Sequence, residues 1–310
     1  MSLVNASLDR RLKSVLIATD LSPASAKPLH HALGIALHYG AKLYVAHVVS
    51  TVPSLIAGPD AQALAFEGAS QSIQQLQSDL RLDNSAKSLD CEFIIRHGHV
   101  WQELHAIIDQ EQIDLIAVGT DARRGIEKVL LGSVAEQVFR DASCPVLTVG
   151  PHSYQDRRVY LPGEIRTCLF ATDFSEASLR ALPQAVSLAH QTKAKLILLH
   201  VVSAVPAAHI SGSYTSSEIL SMRENVRMAC VQWLERLVPC DEESPIDAEF
   251  LVQFGIPSEK VLQVTLDKRV DLIILGLRRE PLSHTSSHMP WATAYEIVCG
   301  AGCPVLTVRQ

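Results

Sequence analysis

The chain repeats itself. Leu16-Ile-Ala-Thr-Asp20 returns as Leu169-Phe-Ala-Thr-Asp173, and Ala46-His-Val-Val-Ser50 as Leu199-His-Val-Val-Ser203. Asp114-Leu-Ile-Ala-Val-Gly119 returns as Asp271-Leu-Ile-Ile-Leu-Gly276, and Cys144-Pro-Val-Leu-Thr-Val149 as Cys303-Pro-Val-Leu-Thr-Val308. The order is kept and the offsets grow only from 153 to 159. Four matches in register imply two copies of one structural unit. The expected division is residues 1–150 for the first domain, 151–163 for a linker rich in Pro, Gly and polar residues, and 164–310 for the second.

Within each copy short branched apolar runs alternate with segments of helical spacing. In the first, Ser14–Thr19, Lys42–Val48, Cys91–Arg96, Leu115–Val118 and Pro145–Val149 read as strands. Helices are expected over Ser25–Tyr39, about 61–82, Trp101–Gln110 and from about Ser133. The second copy follows, with strands near 167–171, 195–201, 247–253, 272–275 and 304–308. Strand–helix alternation predicts a parallel sheet with right-handed crossovers and helices on both faces. In such a sheet a ligand sits beyond the carboxyl ends of the strands, where their order reverses. If strands one and four are neighbours there, Thr19-Asp20 faces the loop that begins at Gly119.

That loop runs from the strand ending at Val118 to a helix opening at Gly132-Ser133. A helix start offers unpaired N–H groups and partial positive charge to an anion, and Ser133 adds a hydroxyl. The alternative is an ordinary strand-to-helix loop with a capped helix. The loop lacks the Gly-Lys-Ser/Thr of a Walker A motif and the Gly-x-Gly-x-x-Gly of a dinucleotide turn.

The repeated Ala-Thr-Asp, His-Val-Val, Gly-loop-Gly-Ser and Cys-Pro-Val-Leu-Thr-Val segments resemble the universal stress protein family, over nearly the whole chain and as a tandem pair. The resemblance implies two Rossmann-like α/β domains, each a five-stranded parallel sheet of order 3-2-1-4-5. It also implies binding of ATP, with ADP or AMP and an accompanying magnesium ion as open variants. The family motif is Gly-x-x-Gly-x9-Gly-Ser/Thr. Gly119, Gly132 and Ser133 match it, while Ala122 stands where the second glycine would be. By the same resemblance Thr19 and Asp20 line the nucleotide, Val48 and Val118 lie against the adenine, and Val134 belongs to the phosphate loop. Arg123 could reach a phosphate and offset Ala122. The plainer readings are a turn-forming or capping Asp20, a core role for Val48 and Val118, and a solvated Arg123-Arg124 pair. The second copy keeps Gly276 and Thr293 but has Arg279 at the second glycine and Ala292 at the third, with Pro281 in the loop. Its cradle is expected to be lost.

Net charge of −6 and the absence of a basic stripe argue against a nucleic-acid partner. No apolar run has the length of a membrane span, and Met1–Lys13 lacks the core of a signal peptide, so a soluble cytoplasmic protein is expected. Seven cysteines without a Cys-x-x-Cys pair read as buried thiols. His97-Gly-His99 with His105 suggests either a metal or a polar loop, and His30, His31 and His38 read as surface residues of one helix. His47 and His200 read as packed within the sheet. No base partners Ser133 and no second acid accompanies Asp20, so a nucleotide-binding regulatory protein is expected rather than an enzyme. A nucleotide-free scaffold and a slow ATPase or phosphotransferase are the alternatives. Expected partners are an adenine nucleotide and unknown protein clients. The family's pairing through last strands suggests that Pro145–Val149 and Val305–Val308 form an intramolecular pseudo-dimer, with a homodimer as a further option.

Overall fold

The computed structural model describes residues 12–50, 59–82, 89–120, 131–150, 165–203, 216–238, 245–278 and 292–309. They fall into two compact units, within Arg10–Glu164 and Ile165–Gln310.

The first unit runs β1 (Ser14–Ala18), a 3-10 turn (Pro23–Ser25), α1 (Ala26–Tyr39), β2 (Lys42–Ser50), α2 (Pro59–Leu82) and β3 (Cys91–Gly98). It continues with α3 (Val100–Gln110), β4 (Leu115–Gly119), α4 (Ser133–Asp141) and β5 (Val146–Val149). Its strands pair in parallel in the order β3-β2-β1-β4-β5. The second unit runs β6 (Thr167–Thr172), α5 (Glu176–Leu179), α6 (Leu182–Thr192), β7 (Lys195–Ser203), α7 (Ser216–Glu235) and β8 (Ala248–Gly255). Then come α8 (Pro257–Asp267), β9 (Leu272–Leu277), α9 (Ala292–Gly300) and β10 (Val305–Arg309). The order β8-β7-β6-β9-β10 repeats the first. Right-handed crossovers put α1 and α2 on one face of the first sheet and α3 and α4 on the other.

The strands form where branched residues can be buried from both sides. Val15, Leu16, Ile17, Ile116 and Ala117 of the central pair are fully covered, as are Leu169, Phe170, Ile273 and Ile274 in the second unit. Edge strands β3 and β8 stay half-exposed and carry cross-strand ion pairs, Lys42–Glu92 at 2.7 Å and Lys195–Glu249 at 2.6 Å. Among the described residues no helix is long and apolar enough to cross a membrane.

The repeated aspartate before the fourth strand has a structural cause. Asp114 Oδ2 accepts the backbone N–H groups of Lys13 (2.8 Å) and Ser14 (3.2 Å), at the amino end of β1. Asp271 Oδ2 accepts those of Arg166 (2.9 Å) and Thr167 (3.0 Å). Each carboxylate fixes the register of the central strand pair. Ile17 stands opposite Ala117 and Ala171 opposite Leu275. Thr19 and Gly119 therefore end level, as do Thr172 and Gly276.

Other backbone positions also recur with different side chains. Gly40 ends α1 in the left-handed region at φ 62, and Ala41 N–H returns to Ala36 O at 2.9 Å. Lys193 ends α6 in the same conformation at φ 54, with Ala194 N–H on Ala189 O at 3.0 Å. The turn demands it, and only glycine adopts it without strain. Gly119 and Gly276 are glycines for another reason. A Cβ on Gly119 would lie 2.9 Å from Pro28 Cγ, and one on Gly276 would lie 2.3 Å from Ala177 O. Here the fourth strand meets the first helix of its own unit.

One histidine departs from the surface reading. His30 and His38 are exposed, but His31 is half-buried. Burial, with the neighbouring charges of His30 and Lys27 adding to it, pushes its imidazole down to about 4.

Three outcomes follow. Lys193→Gly raises stability by about 0.5–1 kcal/mol in urea unfolding, since it relieves a left-handed lysine. Gly276→Ala destabilises by roughly 2 kcal/mol or more, and Gly119→Ala by less, because backbone blocks the first methyl and only a proline ring edge the second. The folded pKa of His31 lies below its unfolded value of 6.5. The unfolded chain thus binds the extra proton between those values, and stability falls as pH drops from 6.5 towards 4. His31→Gln removes roughly 1–2 kcal/mol of that fall, read from unfolding curves across the window.

Candidate functional site

β1 and β4 are neighbours, and chain order reverses between them. The fork at their carboxyl ends is built mainly by the turn after β1. Thr19 N–H donates to Ala46 O at 2.9 Å, which keeps the residue in the sheet ladder. Its hydroxyl oxygen accepts the N–H of Leu21 at 2.9 Å. Asp20 Oδ1 accepts the N–H of Ser22 (2.9 Å) and the hydroxyl of Ser25 (2.5 Å). Leu21 is driven to φ 61. This is an Asx-type turn closed on both sides, and it leads into Pro23 and α1. Burial works to raise the Asp20 carboxyl, but the bonds from Ser25 and Ser22 together outweigh it and hold it below the usual aspartate value.

The second unit builds the same turn. Thr172 Oγ1 accepts from Phe174 N–H at 3.0 Å, Asp173 Oδ1 accepts from Ser175 N–H at 2.9 Å, and Phe174 sits at φ 62. The repeated Thr-Asp pair is thus sufficiently explained by turn formation in both units. Asp20 is nonetheless exposed at the fork, and both of its bonds fall on one oxygen.

His47 belongs to the same corner. Its Nδ1 lies 2.9 Å from Thr19 O, and His200 Nδ1 lies 2.8 Å from Thr172 O. A carbonyl only accepts, so Nδ1 carries the proton and the imidazole ties β2 to the end of β1. Sequence reading put these histidines within the sheet and did not find the bond. Their shared position in the repeat was the available signal. Ser22, Ser25 and Leu21 were also missed, although Asp followed by Ser at two and five residues is an Asx-turn pattern.

On the other side of the fork, Val118 is buried at the end of β4 and Val48 is buried on β2. Thr120, one residue beyond β4, donates its N–H to Val149 O at 3.0 Å and is buried with its hydroxyl unpartnered. α4 packs on β4 and β5. Gly132 is its N-cap at φ −60, ψ 155, without a side-chain capping bond. Ser133 is the first helical residue and is exposed, and Val134 is half-buried. Gly132 has no side chain to cap the first-turn N–H groups of α4, so among the described residues this end keeps the positive potential of a helix start. Arg123, Arg124 and Ala122 lie outside the described residues, as do Arg279, Pro281 and Trp291 of the second loop. Ala292 and Thr293 open α9.

The other candidate chemistry resolves plainly. Among the described residues no three His, Cys, Asp or Glu come together as a metal-sized set. Glu103 packs against Gly98, between His97 and His99, and His105 pairs with Asp109 at 3.3 Å. The six described cysteines are unbridged. Burial pushes the Cys91 thiol up to about 11 and those of Cys144 and Cys168 to about 12, and it raises Cys303 as well. Thiols held in that state are unreactive near neutral pH.

Comparison with known proteins agrees with this architecture. The profile of the Universal stress protein family matches residues 11–150 and again 164–309. Universal stress protein MJ0531 of Methanocaldococcus jannaschii is 31% identical over 145 residues, which is 44% of this chain and 81% of that protein. Universal stress protein YxiE of Bacillus subtilis is 30% identical over 145 residues, 46% of this chain and 97% of its own length. Among solved structures, a universal stress protein from Archaeoglobus fulgidus superposes with a TM-score of 0.67 at 21% identity, covering 97% of both chains. That likeness reports the fold. With the family matched once in each half, the chain belongs to the universal stress protein family as a tandem, two-domain member.

Proposed function

We propose that the first domain binds ATP or a related adenine nucleotide at the β1/β4 fork, and that the protein acts in the cytoplasm as a nucleotide-responsive regulator in a stress response. The observation that carries this reading is the helix start at Gly132-Ser133, without a capping side chain among the described residues, together with the exposed Asp20 carboxylate at the β1/β4 fork. The phosphates would meet the N–H groups of Gly132, Ser133 and Val134 and the Ser133 hydroxyl. Asp20 would accept from a ribose hydroxyl, with Thr19 holding the turn that presents it. Val48 and Val118 would cover the base, Gly119 would start the loop, and Arg123 would add charge to the phosphates. ADP or AMP would use the same groups with fewer phosphate contacts. A magnesium ion would have to be held mainly by the phosphates, because Asp20 is the one carboxylate assigned to the site.

A second reading is a nucleotide-free interaction scaffold. It is favoured by Ala122 in place of the motif's second glycine and by the full explanation of Thr19 and Asp20 as turn formers. Both readings leave the second domain without a phosphate cradle, given Arg279 and Ala292.

Calorimetry with ATP on the purified full chain separates them. Gly132→Trp, which fills the helix start, is expected to weaken ATP binding at least tenfold, and Asp20→Ala severalfold, with unfolding curves checking that each variant folds. No heat with ATP, or unchanged affinity in both variants, selects the scaffold.

A further inference from the structure

Helix α7 of the second domain carries an apolar seam that α2 does not repeat among the described residues. Helix α7 is buried only towards its end, at Cys230 and Leu234, while Ser217–Ala229 is almost entirely exposed. Along it Ile219, Met222, Val226, Ala229 and Trp233 are spaced three, four, three and four residues apart. That is the a/d spacing of a two-stranded coiled coil. These side chains are not core. Met222 is 55% exposed, Val226 41% and Trp233 53%. Matched by burial, the pair Ala69 and Ile73 of α2 in the first domain is set against Cys230 and Leu234. On that alignment Met222, Val226, Ala229 and Trp233 replace Ala61, Ala65, Gly68 and Ser72.

We infer that α7 is a dimerisation helix, and that its occupant is α7 of a second copy of this chain, packed in parallel. Three features argue for a like copy and for that direction. The seam is self-complementary about a twofold axis along the helix. Two of its three a positions hold β-branched Ile219 and Val226, the choice that favours two parallel strands, with Trp233 at the third, and Ala229 at d lets the backbones come close. The flanking charges match: Glu218 at g meets Arg223 at e of the other copy five residues on, and the twofold makes that pair twice. In an antiparallel pair Glu218 would face g positions, which hold Asn225 and Gln232.

The helix is prepared for this. Arg223 stacks 4.6 Å above the Phe254 ring, which holds it at the seam's flank, and the Trp233 ring stands edge-on to Phe174 at 5.5 Å. A seam of two heptads is too short to pair as a free peptide. Here the domain already orders the helix, so association need not supply that entropy. Leu220 and Met228 lie on the far side of the helix and stay in solvent. The inference is independent of the nucleotide reading, since no residue is shared.

Sedimentation equilibrium of the full chain over a concentration series tests it. The natural chain is expected to approach twice its monomer mass. Val226→Glu is expected to raise the dissociation constant roughly 100-fold, with helical circular dichroism unchanged. Leu220→Glu, on the opposite side, should leave association intact. Glu218→Arg and Arg223→Glu should each weaken the dimer, and the two together should restore it. A single-chain mass at every concentration overturns the proposal and leaves the seam to a different partner. So does a dimer indifferent to Val226→Glu, equal disruption by Leu220→Glu, or failure of the paired charge swap to restore association.

Discussion

The carboxylate at the head of the fourth strand governs the rest of each unit. Parallel pairing between β1 and β4 joins segments a hundred residues apart, and nothing local sets their register. Asp114 does so by receiving two N–H groups from the start of β1 on one oxygen, and Asp271 does the same for β6. Charged acceptors make such bonds worth about 1.5–3 kcal/mol each, where a slip would orphan the carboxylate at a half-buried edge. The consequence appears at the far end of the strands. With the register fixed, Thr19 ends level with Gly119 and Thr172 with Gly276. The fork, and with it any ligand site, inherits its geometry from a bond at the opposite edge of the sheet.

Much of this was legible in the residues because it is dictated by burial. The central strands are branched and apolar since both faces are covered, so their lengths and order follow from pattern and crossover rules. The strand ends were less legible. β2 runs to Ser50 and β3 to Gly98, two residues beyond the expected ends at Val48 and Arg96, because the ladder between the two strands continues past them. At the site the repeat marked Thr19, Asp20 and Gly119 without giving the structural part of their cause. Gly119 was read as the first glycine of a nucleotide motif. Its missing side chain is first required by Pro28. Asp20 was weighed between ligand and turn, and the turn is in place before any ligand arrives. The bond from His47 to Thr19 could not be read from spacing, because it depends on which face of β2 the ring occupies and how far β1 extends.

Comparing the two units separates what the backbone demands from what side chains are free to vary. The left-handed positions coincide: Gly40 with Lys193, Leu21 with Phe174, Gln112 with Arg269. Five of these six residues are not glycine, so the conformation is imposed by the tertiary turn and tolerated at a cost of about 1 kcal/mol each. The side chains at those places diverge. Such divergence at fixed geometry is how a duplicated fold acquires separate tasks, since loops and strand ends can change while the packed sheet cannot.

The corner at His200 illustrates this. In the first unit the imidazole of His47 ties down Thr19, and the residue following Asp20 is Leu21. In the second, Phe174 takes that place, and its ring lies 4.5 Å from the imidazole of His200, tilted by 42°. Trp233 then covers Phe174 from α7. The ring series adds dispersion and edge-to-face attraction to a hydrogen bond both units share. It connects the turn after β6, through one aromatic ring, to the exposed side of α7. A leucine at that position offers no edge for an indole to meet, and in the first unit the residue aligned with Trp233 is Ser72. The same backbone corner is therefore joined to its second helix by an aromatic pair in the second domain, where the first domain has a leucine at the corner. In the second domain the substitution that ties the corner to α7 also supplies the last position of that helix's apolar seam.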